Sequence, residues 1–270
     1  MKRMRKIDGT IEVEQVLDII DAGTTMPVRC RLETGMNVVV KYMRNPFGQR
    51  VLINELIGSC IADEIGLTIP EYGVCNLSED VINTTNYNED IDERNAGRAF
   101  FTKDYSSTVP PVRQMLSLVE NKQTEKLILF DHIVNNCDRH SGNLLLDVSK
   151  DARLYVIDNS HIITEGINTD IERELEESFI FSKRVLEKNQ DIYDILCTSV
   201  GFNEKKLLLE AEKIRECITE EKLNNFKEYI PEIWVESVGR TNVDLMFEVL
   251  NRRSEAILEL SKMIVEERRK

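Results

Sequence analysis

The sequence is poor in the features that would cross-link it, hold zinc in it or carry it through a membrane. Its six cysteines (Cys30, Cys60, Cys75, Cys137, Cys197 and Cys217) form no C-x-x-C pair, and there are only three histidines in 270 residues. Neither a disulfide framework nor a structural zinc site is expected, and a reducing cytoplasm fits this cysteine usage best. No run of eighteen apolar residues occurs, and Asp8, Glu12 and Glu14 arrive before any apolar stretch, so neither a membrane span nor a signal peptide is expected. Positive charge is in deficit, with 35 Lys and Arg against 48 Asp and Glu, a net charge of -13. Nucleic-acid binding needs clustered cations to displace phosphate counterions, so no direct contact of that kind is expected. The short basic runs at residues 2–6 and 268–270 read as solvated ends. A G-x-x-x-x-G-K-[ST] run is also missing, which removes the P-loop reading.

What is present suffices for a substantial core, because 41% of the residues are hydrophobic. Alternating apolar and polar residues predict strands over 14–20, 28–32 and 36–42, joined by turn residues into an antiparallel meander. A helix is predicted over 48–64, with Ile53, Ile57 and Ile61 on one face and Gly66 past its end. Two more strands are predicted over 72–77 and 98–102. From Val112 onward the period becomes helical, interrupted by a hairpin at 144–146 and 154–157, and a last long helix is predicted over 242–265. The expected architecture is α+β and bilobed, with an antiparallel-sheet lobe over 1–104 and a mostly helical lobe over 105–270.

The residues that carry chemistry lie in Asn135-Asn136-Cys137-Asp138-Arg139-His140-Ser141-Gly142-Asn143, where a carboxylate precedes an amide by five positions. The next strand ends in Val156-Ile157-Asp158-Asn159. Phosphoryl transfer needs such a set: one Asp to orient the attacking hydroxyl, and an Asn and a second Asp to hold the metal that bridges nucleotide phosphates. Oxygen donors suit magnesium, a hard cation that keeps several waters. Upstream, Lys41 stands in a β-branched run and Glu55 on the following helix, an order that suits an ion pair positioning ATP phosphates. Gly58, Ser59 and Ala62 share the face of Glu55 and would allow close packing. The loop Asp21-Ala22-Gly23-Thr24-Thr25-Met26-Pro27 offers backbone and hydroxyl donors that could cover phosphates. A metal-hydrolase set of Asp131, His132, Asp138 and His140 is disfavoured by the scarcity of histidine. His132 reads as a satisfied helix histidine, Arg139 and His140 as groups that brace the loop or neutralise charge, and His161 as a structural neighbour of the site.

These motifs resemble the HipA-like family of bacterial protein kinases, in particular a compact branch without an extra N-terminal subdomain. The resemblance covers the Gly-Thr-Thr-Met-Pro loop, the Val-Val-Lys strand, the Asn-Glu-Leu helix with its Gly-Leu-Thr-Ile-Pro exit, the Asn-Cys-Asp-Arg-His-Ser-Gly-Asn loop and the Ile-Asp-Asn-Ser-His strand end, and extends to Ile-Pro-Glu-Ile-Trp at residues 230–234. It implies a protein-kinase-like fold and an ATP- and magnesium-dependent serine/threonine protein kinase. Asp138 would be the catalytic base, Asn143 and Asp158 the magnesium ligands, Lys41 the phosphate lysine, and Phe101 to Lys103 the hinge meeting adenine through backbone groups. It further implies a protein substrate and the setting of an antitoxin-like regulator. There is no H-R-D order, no D-F-G and no A-P-E, so control by activation-loop phosphorylation is not implied. The Asp-Arg-His-x-x-Asn loop is also similar to that of phosphatidylinositol kinases, which leaves a small-molecule or phosphoinositide-type hydroxyl as an alternative acceptor. A pseudokinase or nucleotide-sensing module is the alternative from another class, opposed by the joint presence of Lys41, Glu55, Asp138, Asn143 and Asp158.

Overall fold

Strict alternation builds the first sheet: in β2 (Val28–Leu32), Val28, Cys30 and Leu32 turn inward while Arg29 and Arg31 face solvent. β1 (Ile11–Ile19) and β3 (Asn37–Lys41) pair with it antiparallel. The tight β2–β3 connection needs the left-handed conformation of Gly35 (φ 80°), whose N–H donates to the Leu32 carbonyl at 2.8 Å. The computed structural model describes residues 11–21, 25–87, 91–105, 108–148, 152–163, 173 and 183–269.

After α1 (Gln49–Glu64) come β4 (Tyr72–Leu77), the short helix α2 (Glu79–Asn83) and β5 (Gly97–Lys103). β5 inserts between β3 and β4, giving the order β1-β2-β3-β5-β4. The sheet then closes into a barrel through a short parallel pairing of Ile11 with Cys75 and Glu12 with Asn76. The predicted meander is there over β1 to β3, while the closure joins residues too far apart in sequence for local periodicity to signal. Val13, Val28, Cys30, Val38, Val40 and Phe101 fill the barrel.

A second sheet of β6 (Thr108–Val109), β7 (Leu144–Asp147) and β8 (Arg153–Val156) contains the predicted hairpin. The helices around it are α3 (Arg113–Leu116), α4 (Thr124–Ile133), α5 (Arg184–Lys188), α6 (Gln190–Ser199), α7 (Glu204–Cys217), α8 (Glu220–Lys227), α9 (Glu232–Val238), α10 (Arg240–Glu255) and α11 (Ile257–Arg268). Among the described residues no helix is long and apolar enough to cross a membrane. All six cysteines are free.

Two expectations are corrected. The single helix predicted over 242–265 is two helices, broken at Ala256 (φ -82°, ψ 3°). Just before the break, the Ser254 hydroxyl donates to the Asn251 carbonyl at 2.9 Å, which competes with the main-chain ladder, and Arg253 Nε donates to the His132 carbonyl at 2.7 Å, pinning α10 to α4. The one-sided burial predicted for α1 is also too modest, for every residue from Val51 to Ala62 is buried. The helix is enclosed because the larger hydrophobic cluster takes in Leu52, Ile53, Leu56 and Ile57 of α1 together with Leu127 and Phe130 of α4, Trp234 of α9 and Ile264 of α11. Polar ties fasten both of its ends. Lys222 of α8 pairs with Glu64 at 3.1 Å and Gln49 bonds to Ser237 of α9; α9 is tied in turn to β5, the Trp234 indole N–H donating to the Arg98 carbonyl at 3.2 Å.

His132 is only half satisfied. Its Nδ1–H donates to the Ile128 carbonyl at 2.7 Å, while the buried Nε2 has no partner. Burial lowers its pKa to about 4, the Ile128 bond opposes and Arg253 adds to the shift. Between that value and the ordinary one near 6.5, the unfolded chain binds a proton that the folded chain does not, so stability falls as pH falls through this window. We expect a loss of about 3 kcal/mol from this group by the lower edge, read by urea unfolding at a series of pH values. His132→Phe should flatten that part of the profile, and an unchanged slope would show that another group titrates there.

Candidate active site

β3 ends on Lys41 at the mouth of the barrel, where α1 and the 158–160 segment converge on its ammonium. Lys41 Nζ bonds to Glu55 Oε1, to Asp158 Oδ1 at 3.0 Å and to Ser160 Oγ at 2.8 Å, which employs its three hydrogens. Ser160 Oγ lies 2.9 Å from Glu55 Oε1 and 2.6 Å from Asp158 Oδ1, so one hydroxyl proton serves two carboxylates in turn. The second oxygen of Glu55 accepts the Asn159 N–H at 3.1 Å. One residue earlier on α1, Asn54 Nδ2 donates to the carbonyls of Ser160 (2.8 Å) and Ile162 (3.1 Å). One turn later comes Gly58, where an added Cβ would stand 2.7 Å from the Asn159 Cβ. The small face read from the sequence therefore meets the strand end that carries Asp158.

The electrostatics follow from this crowding. Burial alone would lower the Lys41 pKa, but Asp158 and Glu55 raise it above the usual lysine range. Burial pushes Asp158 upward, yet Lys41 and the Ser160 hydroxyl hold its carboxyl well below the usual carboxylate range. Burial pushes Glu55 up, opposed by Lys41. Asp158 occupies the left-handed region (φ 59°), which turns the chain so that Ser160 N–H also reaches Oδ1, at 3.2 Å.

The second half of the site follows α4. Asp131 and Arg139 form a fully buried pair, with Arg139 Nη2 2.9 Å from Asp131 Oδ1. Arg139 Nη1 also donates to the carbonyls of Asn143 (3.2 Å) and Ile157 (2.9 Å). These bonds tie the buried Arg139 to α4, to the end of the 138–143 loop and to the residue before Asp158. Asp138 faces solvent, and its carboxylate makes no hydrogen bond with a described residue. Its N–H donates to Asn136 Oδ1 at 2.9 Å and its carbonyl accepts from Asn143 Nδ2 at 2.8 Å. Because the Asn143 amide nitrogen is committed in this way, its Oδ1 is the atom left for a cation. The exposed His140 caps the turn, Nδ1 accepting the Gly142 N–H at 3.0 Å, so its ring proton sits on Nε2.

Among the described residues no three His, Cys, Asp or Glu side chains cluster to hold a metal ion. His132 is in the core and His140 at the surface, so the hydrolase set is not assembled. The donors available are Asn143 Oδ1 and the Asp158 carboxylate. These hard oxygens suit a magnesium ion that takes its remaining ligands from water and substrate phosphates.

Other expected site residues fare differently. Gly23 and Thr24 lie outside the described residues, and Thr25 is buried beside the β1–β2 connection. The Phe101 side chain is in the barrel core, and its backbone lies between two strands, in register with Val40 and Gly73. Lys103 N–H is taken by the Glu71 carbonyl at 2.7 Å and its ammonium by Glu71 Oε1 at 3.2 Å. Sequence reasoning missed Ser160, Asn54 and the bracing set of Asp131, Asn136, Asn189 and Tyr193. Ser160 and Asn54 each lie within two residues of a residue already singled out, whereas Asn189 and Tyr193 carry no local signal at all.

A family model described as HipA-like kinase matches residues 13–258. The fold is similar to that of a Helicobacter pylori proinflammatory kinase, CtkA, with 13% identity, a TM-score of 0.57, and 95% of this chain and 98% of that chain covered. A Golgi casein kinase solved with Mn and ADP is similar at 11% identity and a TM-score of 0.50, over 93% of this chain and 73% of that one. No curated protein sequence matches the chain.

The contact at Gly58 gives a test of how α1 positions the site. Gly58→Ala should overpack against Asn159, cost about 1–3 kcal/mol, and shift the urea midpoint accordingly. An unchanged midpoint would mean that the 158–160 segment yields freely.

Proposed function

This chain belongs to the HipA-like kinase family, and from that premise we propose that it transfers the γ-phosphoryl group of magnesium-bound ATP to a serine or threonine hydroxyl of a protein. The observation that carries the proposal is the union of an intact Lys41–Glu55–Asp158 cluster with an exposed, uncommitted Asp138 carboxylate. In this reading Lys41 contacts the ATP phosphates and Glu55 keeps its ammonium in place. Asn143 Oδ1 and the Asp158 carboxylate hold the magnesium ion, which when bound neutralises phosphate charge. Asp138 accepts the proton of the acceptor hydroxyl, and its low-bonded state leaves both oxygens open to do so. His140, whose Nδ1 accepts the Gly142 N–H, leaves Nε2 as a donor on the same loop.

A protein acceptor is favoured over a lipid headgroup by charge. A chain of net charge -13 is repelled by the anionic surface on which phosphoinositides reside. The described surface also shows no basic amphipathic helix that would offset this.

Three substitutions test the roles, with labelled MgATP and a native lysate as acceptor. Asp138→Asn should reduce transfer by about 10²–10⁴-fold while leaving ATP affinity within error of wild type. Comparable turnover by that variant would remove Asp138 as the base. Lys41→Met should weaken ATP binding itself. Asp158→Asn should raise the magnesium concentration needed for half-maximal nucleotide binding, and an unaltered requirement would place the metal elsewhere.

A further inference from the structure

We infer that Lys188 sets the acceptor preference of this enzyme, selecting a polypeptide whose serine or threonine hydroxyl is flanked by an acidic side chain. The inference rests on the kinase reading above. It starts from a cavity of about 260 Å³ lined by Cys137, Asp138, His161 and Lys188. Lys41, Asn143 and Asp158 are not among its lining residues, so an acceptor seated in it would reach Asp138 without displacing the groups assigned to nucleotide and metal.

Within this cavity the charges are few. Burial pushes the Cys137 thiol up, against the nearby cations, so it forms a neutral wall. The His161 ring packs edge-on against Phe47, with centroids 5.6 Å apart, and forms a second side of the cavity. That leaves the Asp138 carboxylate, which the hydroxyl approaches, and the Lys188 ammonium. Lys188 is exposed and makes no hydrogen bond or ion pair with any described residue. Lys41 is committed to three acceptors and Arg139 to Asp131 and two carbonyls, while Arg184 and Arg253, also near Cys137, do not line the cavity.

Lys188 is also held in register with the loop. The next residue, Asn189, is buried, and its amide bonds to the Asn136 carbonyl at 2.8 Å and to the Arg139 N–H at 2.9 Å, bracketing Asp138 on both sides. Its Nδ2 lies 3.1 Å from the Tyr193 hydroxyl as well. The backbone under Lys188 therefore moves with Asp138, and an anion bound by its ammonium is fixed relative to the reacting hydroxyl. An extended peptide advances about 3.3–3.6 Å per residue, so a lysine stem reaches a side chain within about three positions of the acceptor. With a net charge of -13, the field of the whole protein does not attract an acidic segment, and a cation at contact distance has to supply the discrimination.

The experiment uses the full chain, labelled MgATP and a library of serine and threonine peptides in which one flanking position at a time is Asp or Glu, Ala, or Lys or Arg. Wild type should favour an acidic residue at one or more positions within three of the hydroxyl by about tenfold in kcat/KM, mainly through KM. Lys188→Glu should invert that preference toward basic residues, and Lys188→Arg should retain it, with MgATP affinity equal in all three proteins. Identical preferences in wild type and Lys188→Glu would overturn the inference, as would a loss confined to kcat, which would put Lys188 on the transferred phosphoryl group instead. If wild type labels no peptide while hydrolysing ATP in an Asp138-dependent manner, the protein-acceptor reading falls and this inference with it. Equal preferences in an active enzyme overturn this inference alone.

Discussion

One guanidinium sets the geometry on which the site depends. Arg139 is buried against Asp131, and from that anchor it reaches the carbonyl of Asn143 and the carbonyl of Ile157, the residue before Asp158. The two oxygen donors assigned to the metal are thus spaced by hydrogen bonds to the same cation, although they lie on different segments. Asp131 is held in turn by the Tyr193 hydroxyl at 2.9 Å and the Asn136 amide at 3.1 Å. Removing one partner of such a buried pair typically costs about 3–5 kcal/mol, because the other charge is left uncompensated. The pair is therefore better understood as a device of placement than as a source of net stability.

The nucleotide side is organised by a different logic, with α1 as the intermediary between barrel and helices. Asn54, Glu55 and Gly58 use three successive features of one helix face to grip the 158–162 segment: two carbonyls, one amide and a close approach with no side chain in between. Lys41 then joins β3 to both. A substitution anywhere in this chain of contacts acts on the relative position of Lys41 and Asp158, whichever residue is altered.

Much of this was legible in the sequence because it is encoded over short spans. The Asp138 to Asn143 loop is read from spacing within one segment, and Asp158 at a strand end and Lys41 ahead of Glu55 from the order of neighbouring elements. The β4 bounds and the hairpin of β7 and β8 follow from short apolar runs bounded by polar and turn residues. What escaped is set by tertiary juxtaposition. The placement of Phe101 in the barrel core needed the register that sets β5 between two strands. The break at Ala256 needed the anchoring of Arg253 on α4, and the buried roles of Asn189 and Tyr193 needed α6 to lie against the loop. Ser160 was in view, but a serine two positions past an aspartate says nothing of a lysine more than a hundred residues earlier.

The fastening of α1 has a consequence for control. A helix bare on one side can swing, and with it a glutamate can be drawn away from its lysine, so that the ion pair itself becomes the switch. Here a rotation of α1 would have to part Glu64 from Lys222, Gln49 from Ser237 and Asn54 from two carbonyls, while dragging fully buried Leu52 and Leu56 out of a core shared with α4 and α9. The assembled state of Lys41 and Glu55 is thus the resting state. Glu55 is kept beside Lys41 by contacts spread along the whole of α1 rather than by the ion pair alone.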